Sequence, residues 1–285
     1  MCAVQQVSES SPIVNEQFLY EMREDFGENI MKKTLILSFM TGLVLLAGSG
    51  TGSAQDDGIH VIPVELFACS YNDGKGSDDL DKVIDKWNTW ADKAGIDDYS
   101  AWTLTPYYFG PEQEFDIIWM GAGKDAVALG KAQDAYNAEN AGLHADFDEV
   151  LTCDSHSNFA SVQFKAPPKG ATPADSVLTF SDCKYEKGAS FVALSAAMGE
   201  WSQHLSDAGS NAGIWHWYPA YGGGGEEFSF KWLEAYKNLA DLGADYENYG
   251  NGGGFVTNGR LFRHLISCDS TRAYLAKSRR FVQLR

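Results

Sequence analysis

The hydrophobic positions of this chain change between strand-like and helix-like spacing in a regular order. An apolar run at residues 59–69 predicts a strand, and residues 80–91 place apolar side chains on one face of a helix. Ser77 is suited to cap that helix, and Gly95 is suited to end it. Through the first half the pattern predicts these elements: strand 59–69, helix 78–94, strands 101–109 and 114–120, helix 124–136, a helical turn at 147–151, and strand 158–164.

The second half of the chain shows the same succession of patterns. It predicts these elements: strand 176–183, helix 191–207, strands 213–221 and 227–232, helix 233–246, and a final strand 272–281. Residues 166–175 are rich in proline, glycine and alanine and predict a linker. The chain therefore divides into two predicted domains, residues 55–165 and 176–285, each with the order β-α-β-β-α-β.

Uncommon residues recur at a nearly constant distance along the sequence. The phrase Cys-Asp-Ser begins at Cys153 and again at Cys268, 115 residues later. Other matched pairs lie 113 or 114 residues apart: Cys69 with Cys183, Trp87 with Trp201, Trp119 with Trp232, and Tyr136 with Tyr249. Such a small drift is typical of loop insertions, and the pattern indicates an internal duplication.

The element order of each half is that of the ferredoxin-like split βαβ unit. Two such units in tandem resemble the dimeric α+β barrel superfamily over residues 59–281, and the NIPSNAP-like, EthD-like and antibiotic-biosynthesis-monooxygenase-like branches are the nearest. The resemblance implies an α+β fold in which two ferredoxin-like βαββαβ repeats pack face to face as a pseudo-dimeric barrel. It also brings in cofactor-independent oxygenases and isomerases, and heme binding, as activities found in the superfamily.

Four cysteines remain if the N-terminal segment described below is removed. In a ferredoxin-like unit the first and last strands are antiparallel neighbours, so Cys69 can reach Cys153, and Cys183 can reach Cys268. An even number of cysteines in an exported chain favours these two disulfides. Free buried thiols and a four-cysteine metal site are the alternatives, although no C-x-x-C pair is present.

The N-terminal segment resembles an export signal that starts late. Lys32 and Lys33 precede an apolar run at residues 35–47, and small residues lead to a cleavage site after Ala54. We expect residues 31–54 to be a signal peptide, which predicts a periplasmic or secreted protein. We then expect residues 1–30 to be a spurious upstream extension that results from a misplaced start codon. The alternative is a long leader or a membrane anchor.

The charge of the chain argues against two classes of partner. The full sequence has a formal net charge of −17, and without residues 1–54 it keeps 33 acidic and 19 basic residues. Contacts with phosphates require patches of lysine and arginine. We therefore expect no nucleic-acid partner and, after signal cleavage, no membrane partner.

Three histidines are candidate catalytic residues because each occurs in one half only: His204, His216 and His264. Histidine titrates near neutral pH and can serve as an acid or a base. Neutral drift of surface residues would also leave histidines in one half only. No histidine pair has metal-ligand spacing, so we expect no metal site.

Aromatic residues alternate along two matched strands. They provide the candidate ligand-binding residues Trp102, Tyr108, Trp215, Trp217 and Tyr221. One strand face packs against helices and the other faces the space between the sheets. An aromatic stripe is more often core than pocket, but in a cleft it would suit a flat, apolar molecule.

The sequence therefore predicts an exported protein that binds a small apolar molecule in the cleft between its halves. The alternative is an enzyme that resembles the cofactor-independent oxygenases and isomerases, with one of the three histidines as acid or base. No cofactor is expected, and the chain is expected to be a monomer or a homodimer.

Overall fold

The described part of the chain, residues 60–139, 142–167 and 175–282 of this computed structural model, contains nine strands and six helices. The strands are β1 (Val61–Tyr71), β2 (Tyr99–Tyr108), β3 (Ile117–Gly123), β4 (Leu151–Lys165), β5 (Ser176–Tyr185), β6 (Gly213–Tyr221), β7 (Phe230–Tyr236), β8 (Ile266–Cys268) and β9 (Arg272–Arg280). The helices are α1 (Ser77–Lys93), α2 (Ala126–Asn137), α3 (Leu143–Val150), α4 (Phe191–Asp207), α5 (Leu239–Gly250) and α6 (Gly254–Phe262).

The strands form one antiparallel sheet that closes on itself. Their order is β7-β6-β4-β1-β3-β2-β9-β5, and β5 pairs again with β7. In the first half the order is β4-β1-β3-β2, and in the second half β9-β5-β7-β6 has the same arrangement. Two ferredoxin-like sheets are thus joined along the seams β4–β6 and β2–β9, as the fold predicted from the sequence requires.

The interior of this barrel is filled by apolar side chains. They include Leu66 from β1, Leu104 from β2, Phe159 from β4, Phe180 from β5 and Trp217 from β6, none of which is more than 9% exposed. The opposite sheet face packs against the helices, and separate apolar clusters lie under α1 and under α4. The core is therefore layered, with an inner core shared by both halves and an outer core in each half.

The two predicted disulfides are confirmed. Cys69 and Cys153 lie opposite each other on β1 and β4, with a sulfur–sulfur distance of 2.04 Å. Cys183 and Cys268 repeat the arrangement on β5 and β8 at 2.05 Å. Each bond therefore ties the first strand of its half to the last one.

Several boundaries differ from the sequence-based expectation. β4 begins at Leu151 rather than at residue 158, because its polar first residues still pair with β1. The glycine-rich stretch at residues 250–254 leads into α6, a helix absent from the elements predicted above, and Gly253 at its N-terminus has a φ of 84°. In the second half the last strand is divided into β8 and β9, which share one edge of β5.

Some sequence-based expectations fall outside the described residues. They are the upstream extension at residues 1–30, the signal peptide at residues 31–54 and most of the linker, residues 168–174. Within the described part of the chain, no helix is both long enough and apolar enough to cross a bilayer.

We predict that each disulfide contributes strongly to stability. The bonds close loops of 84 and 85 residues, and the entropy lost by such a loop in the unfolded chain corresponds to about 4 to 5 kcal/mol. The double variant Cys69→Ser/Cys153→Ser should lose about this much free energy of unfolding in urea denaturation. The matched variant Cys183→Ser/Cys268→Ser should lose a similar amount, and a loss below about 1 kcal/mol in either would contradict the prediction.

Candidate functional site

Two cavities lie on the outer face of the barrel, one between the helices and strands of each half. The first, of about 570 Å³, is enclosed by α1, α2 and α3, and the second, of about 630 Å³, by α4, α5 and α6. Their walls contain aromatic residues at matched positions of the repeat: Trp87 and Trp201, Trp119 and Trp232, Tyr136 and Tyr249, Phe147 and Phe262. The duplication has therefore preserved a cavity in each half.

A buried carboxylate forms part of the floor of the first cavity. Glu65 projects from the helix-facing side of β1 and is only 4% exposed. Tyr99 Oη donates a hydrogen bond to Glu65 Oε1 over 2.8 Å, and Gln133 Nε2 donates to Oε2 over 2.7 Å. His156 Nε2 lies 2.8 Å from the same Oε2. Three polar side chains that line the cavity thus converge on one carboxylate.

Aromatic contacts fix the orientation of these polar groups. The His156 ring is stacked on Phe67 with 3.7 Å between ring centroids, while about half of the His156 side chain remains exposed. Trp119 Nε1 donates to Tyr99 Oη over 3.0 Å. Burial, followed by the charge of Glu65, raises the pKa of Tyr99 well above its usual value, so this phenol remains a hydrogen-bond donor.

The second cavity contains a carboxylate in comparable surroundings. Glu234 projects from β7, and its two oxygens accept hydrogen bonds from Trp232 Nε1 over 3.1 Å and from Tyr236 Oη over 2.5 Å. Burial raises the pKa of Glu234, and the nearby charge of Asp245 raises it further. Asp245 lines the same cavity and accepts a hydrogen bond from Ser210 Oγ over 2.5 Å.

The three histidines expected from the sequence lie outside both cavities. His216 is 0% exposed between the rings of Phe164 and Phe230, and neither ring nitrogen has a hydrogen-bond partner among the described residues. Burial lowers its pKa to about 3, so the ring is neutral. His204 is stacked on Trp201, a buried residue of α4. His264 is exposed and contacts Arg263. Their catalytic role stays a prediction without geometric support.

The five aromatic candidates also lie away from the cavities. Trp102, Trp215 and Trp217 pack into the barrel interior, where Trp217 is 4% exposed. Tyr108 and Tyr221 are 59% and 67% exposed near the ends of β2 and β6. The aromatic face of these strands is thus mainly core, which is the alternative considered above.

Sequence reasoning missed Glu65, Gln133 and His156. The one available signal was Glu65 itself, an acidic residue within the apolar run that forms β1. A charged side chain on the helix-facing side of a strand is costly to bury unless it has partners. Such an acidic residue therefore indicates that polar partners lie between the strand and the helices that cover it.

The polar residues of the cavities do not form a metal site. No group of three or more histidine, cysteine, aspartate or glutamate side chains with suitable geometry occurs among residues 60–139, 142–167 and 175–282. The donors around Glu65 are instead suited to hydrogen bonding.

We predict that His216 weakens the fold in acid. An unfolded chain binds a proton at His216 below about pH 6.5, whereas the folded chain binds it only near pH 3, so stability falls as the pH drops through this window. His216→Phe should remove about 2 kcal/mol of the loss between pH 8 and pH 5, measured by urea denaturation at both pH values. The variant of an exposed histidine, His264→Gln, is the control; equal acid sensitivity of His216→Phe and the unmodified chain would contradict the prediction.

Comparisons with known proteins extend the description of the fold. No family model matches the sequence, and no curated protein matches it. Among solved structures, the chain is similar to a candidate chlorite dismutase at 12% identity and a TM-score of 0.49, with 79% of this chain and 96% of the other covered. It is similar to a heme-binding protein from Thermus thermophilus (8% identity, TM-score 0.45, 77% and 93% covered) and to an anthrone oxidase-like protein (12%, 0.47, 78% and 94%). The assignment of this chain to the pseudo-dimeric α+β barrel fold rests on its own strand order.

Proposed function

We propose that this chain binds a small, largely apolar molecule in the cavity of its first half. The observation that carries the proposal is the convergence of Tyr99, Gln133 and His156 on the buried carboxylate of Glu65 inside an aromatic cavity. A volume of about 570 Å³ lies within the range of small-molecule sites, which combine apolar walls with a few oriented polar groups. The proposed ligand would lie beside the barrel, because the cleft between the halves is filled by side chains.

The energetic cost of Glu65 supports a functional origin. A carboxylate enclosed by protein is expensive, and well-packed apolar residues at such a position are often at least as stable. Glu65 lines the cavity together with the apolar residues Phe67 and Trp119, and an apolar side chain at position 65 would match these surroundings. Its retention with a complete set of partners is explained if the carboxylate orients the cavity's polar groups towards a ligand.

Heme does not fit the residues that line these cavities. In the first cavity, the Nε2 atoms of His144 and His156 are engaged by Tyr136 O and by Glu65. No lysine or arginine lines that cavity in the described part of the chain to pair with propionates, and the second cavity has no histidine among its described lining residues. The heme binding stated for one similar structure is therefore not carried over to this chain.

A second candidate function is acid–base catalysis in the same cavity. The contact of His156 Nε2 with Glu65 leaves Nδ1 as the ring nitrogen that can act as a base, and it holds the ring in one orientation. His156 would then remove a proton from a carbon next to a carbonyl group, giving an enolate and an imidazolium; the enolate takes a proton from solvent, and the imidazolium releases its proton to solvent. This step needs no cofactor.

We further propose that the chain is exported, with residues 31–54 as the signal peptide. The two disulfides support this location, because such bonds persist in oxidising compartments.

Filling the first cavity should abolish ligand binding. Ala132 lines it from α2, and Ala132→Phe places a ring in the space, whereas Ala126→Phe adds the same ring at an exposed position of the same helix. With indole as a neutral probe, calorimetry should show a loss of affinity on the order of tenfold or more for Ala132→Phe and no change for Ala126→Phe. Equal binding by both variants would contradict the proposed site.

The catalytic candidate predicts exchange of carbon-bound hydrogen. In D₂O the chain should accelerate deuterium incorporation next to the carbonyl of phenylacetone, followed by NMR, and His156→Gln should reduce the acceleration on the order of a hundredfold. His204→Gln is the control and should retain it. No acceleration by the unmodified chain would exclude this chemistry for the probe and leave binding as the function.

Export predicts a defined N-terminus. Intact mass spectrometry of the chain purified from its own host should show a denatured mass that begins at Gln55 and is four hydrogens lighter than the fully reduced chain. A mature chain that retains residues upstream of Met31 would contradict the proposal.

A further inference from the structure

The carboxylates of the two cavities come from opposite strands of the same cross-strand pair. In the first half Glu65 on β1 lies opposite Gly121 on β3. The matched pair in the second half is Thr179 on β5 opposite Glu234 on β7. The acidic side chain has therefore moved to the neighbouring strand while remaining at the same point of the sheet.

The tyrosine that holds each carboxylate also comes from a different strand in each half, although in the second half Gly213 pairs with Ala235, the residue beside Tyr236. Tyr99 on β2 lies opposite Gly123 on β3. The matched positions in the second half are Gly213 on β6 and Tyr236 on β7. Both phenols donate to the carboxylate of their own half, over 2.8 Å from Tyr99 and 2.5 Å from Tyr236.

Packing makes the two arrangements alternatives to each other. A Cβ atom at Gly121 would lie 1.9 Å from Tyr99 Oη and 3.0 Å from Glu65 Cγ. The first half can thus carry its carboxylate on β1 only if β3 has no side chain at this point. In the second half β7 provides the side chain and the opposite residue is the smaller Thr179.

The tryptophan of each hydrogen-bonded group lies at the same position of the repeat in both halves. Trp119 and Trp232 occupy matched positions, and their Nε1 atoms donate to Tyr99 Oη and to Glu234 Oε1 respectively. Each cavity therefore contains a tryptophan, a tyrosine and a carboxylate joined by hydrogen bonds. The two halves thus present the same three chemical groups from partly different positions of the repeat.

The second cavity has a further polar group available. Trp201 lines it and is 4% exposed, and its Nε1–H is buried without an acceptor among the described residues. Buried donors in folded proteins are nearly always paired. An ordered water would satisfy it, since an ammonium group has no acceptor atom.

We infer that the second cavity is a second binding site for the same class of molecule as the first, an apolar ring-bearing amine. The inference rests on the proposed function of the first cavity. In the described part of the chain, neither Glu65 nor Glu234 forms an ion pair with lysine or arginine. Carboxylates among tryptophan and tyrosine faces recognise organic cations, because the ring quadrupole adds to the attraction of the charge.

The basic residues near the second cavity leave this role open. Lys165 Nζ is directed to the carbonyl oxygens of Ser210 and Ala212 at 3.0 and 2.6 Å. Arg263 lines the second cavity from an exposed position, where its Nε donates to His264. The charge of Lys165 acts on Glu234 without a direct contact, so an ammonium group on a ligand would be the cation in contact with Glu234.

Calorimetry with 2-phenylethylamine tests the inference. At pH 7 the unmodified chain should bind two molecules, and 2-phenylethanol and 3-phenylpropionate should bind at least about tenfold more weakly. Glu65→Gln and Glu234→Gln should each leave one site, and the double variant should leave none. Glu227→Gln changes an exposed carboxylate and should retain two sites.

Cavity-filling variants provide an independent route if an acid variant fails to fold. Gly259 lines the second cavity with open space around its Cβ position, so Gly259→Phe should remove the second site alone. Gly243→Phe on α5 adds a ring at an exposed position with similar space and is the control.

The outcomes separate the inference from the proposed function. One site that depends on Glu65 and is unaffected by Glu234→Gln and Gly259→Phe would overturn the second site and leave the first. Binding unaffected by Glu65→Gln and Ala132→Phe would overturn the proposed function itself. Equal affinities for the amine and the alcohol would overturn the assignment of the ligand class.

Discussion

The pairing of β4 with β6 and of β2 with β9 is the constraint on which the rest of this structure depends. These seams join two four-stranded sheets into a closed ring. Buried side chains, among them Leu104, Phe159 and Trp217, fill its interior. All six helices of the described chain must then lie outside the ring. A small molecule can be accommodated where helices and sheet separate, and the two cavities lie there.

The duplication explains why these cavities resemble each other without sharing their polar residues. Aromatic walls persist at matched positions because they belong to the outer core of each half. The carboxylate lies on a different strand in each half, since a side chain on either member of a cross-strand pair reaches the same space. The phenol also comes from a different strand, β2 in the first half and β7 in the second. Both cavities contain a carboxylate hydrogen-bonded to a tyrosine, and a tryptophan N–H beside them. We attribute this common set of groups to contact with a ligand rather than to the needs of the fold.

The fold was largely predictable from the sequence, and the site was not. Hydrophobic spacing located the helix at Ser77–Lys93, and the repeat located both disulfides, because these patterns record local periodicity and duplication. The importance of Glu65 and His156 arises from residues 34 to 91 positions away that meet only in the folded chain. His216 is one of three catalytic candidates because it occurs in one half only, and its alternating position on β6 directs it into the core.

We propose that a ligand ammonium group lies opposite the buried carboxylate of Glu65 in an aromatic cavity outside the barrel. A crystal structure of the chain grown with 2-phenylethylamine tests it most directly. We expect the amine nitrogen within hydrogen-bond distance of Glu65, with the ring packed against the contacting pair Trp119 and Phe147, and a second molecule at Glu234. A ligand bound inside the barrel, or on the surface away from both carboxylates, would contradict it.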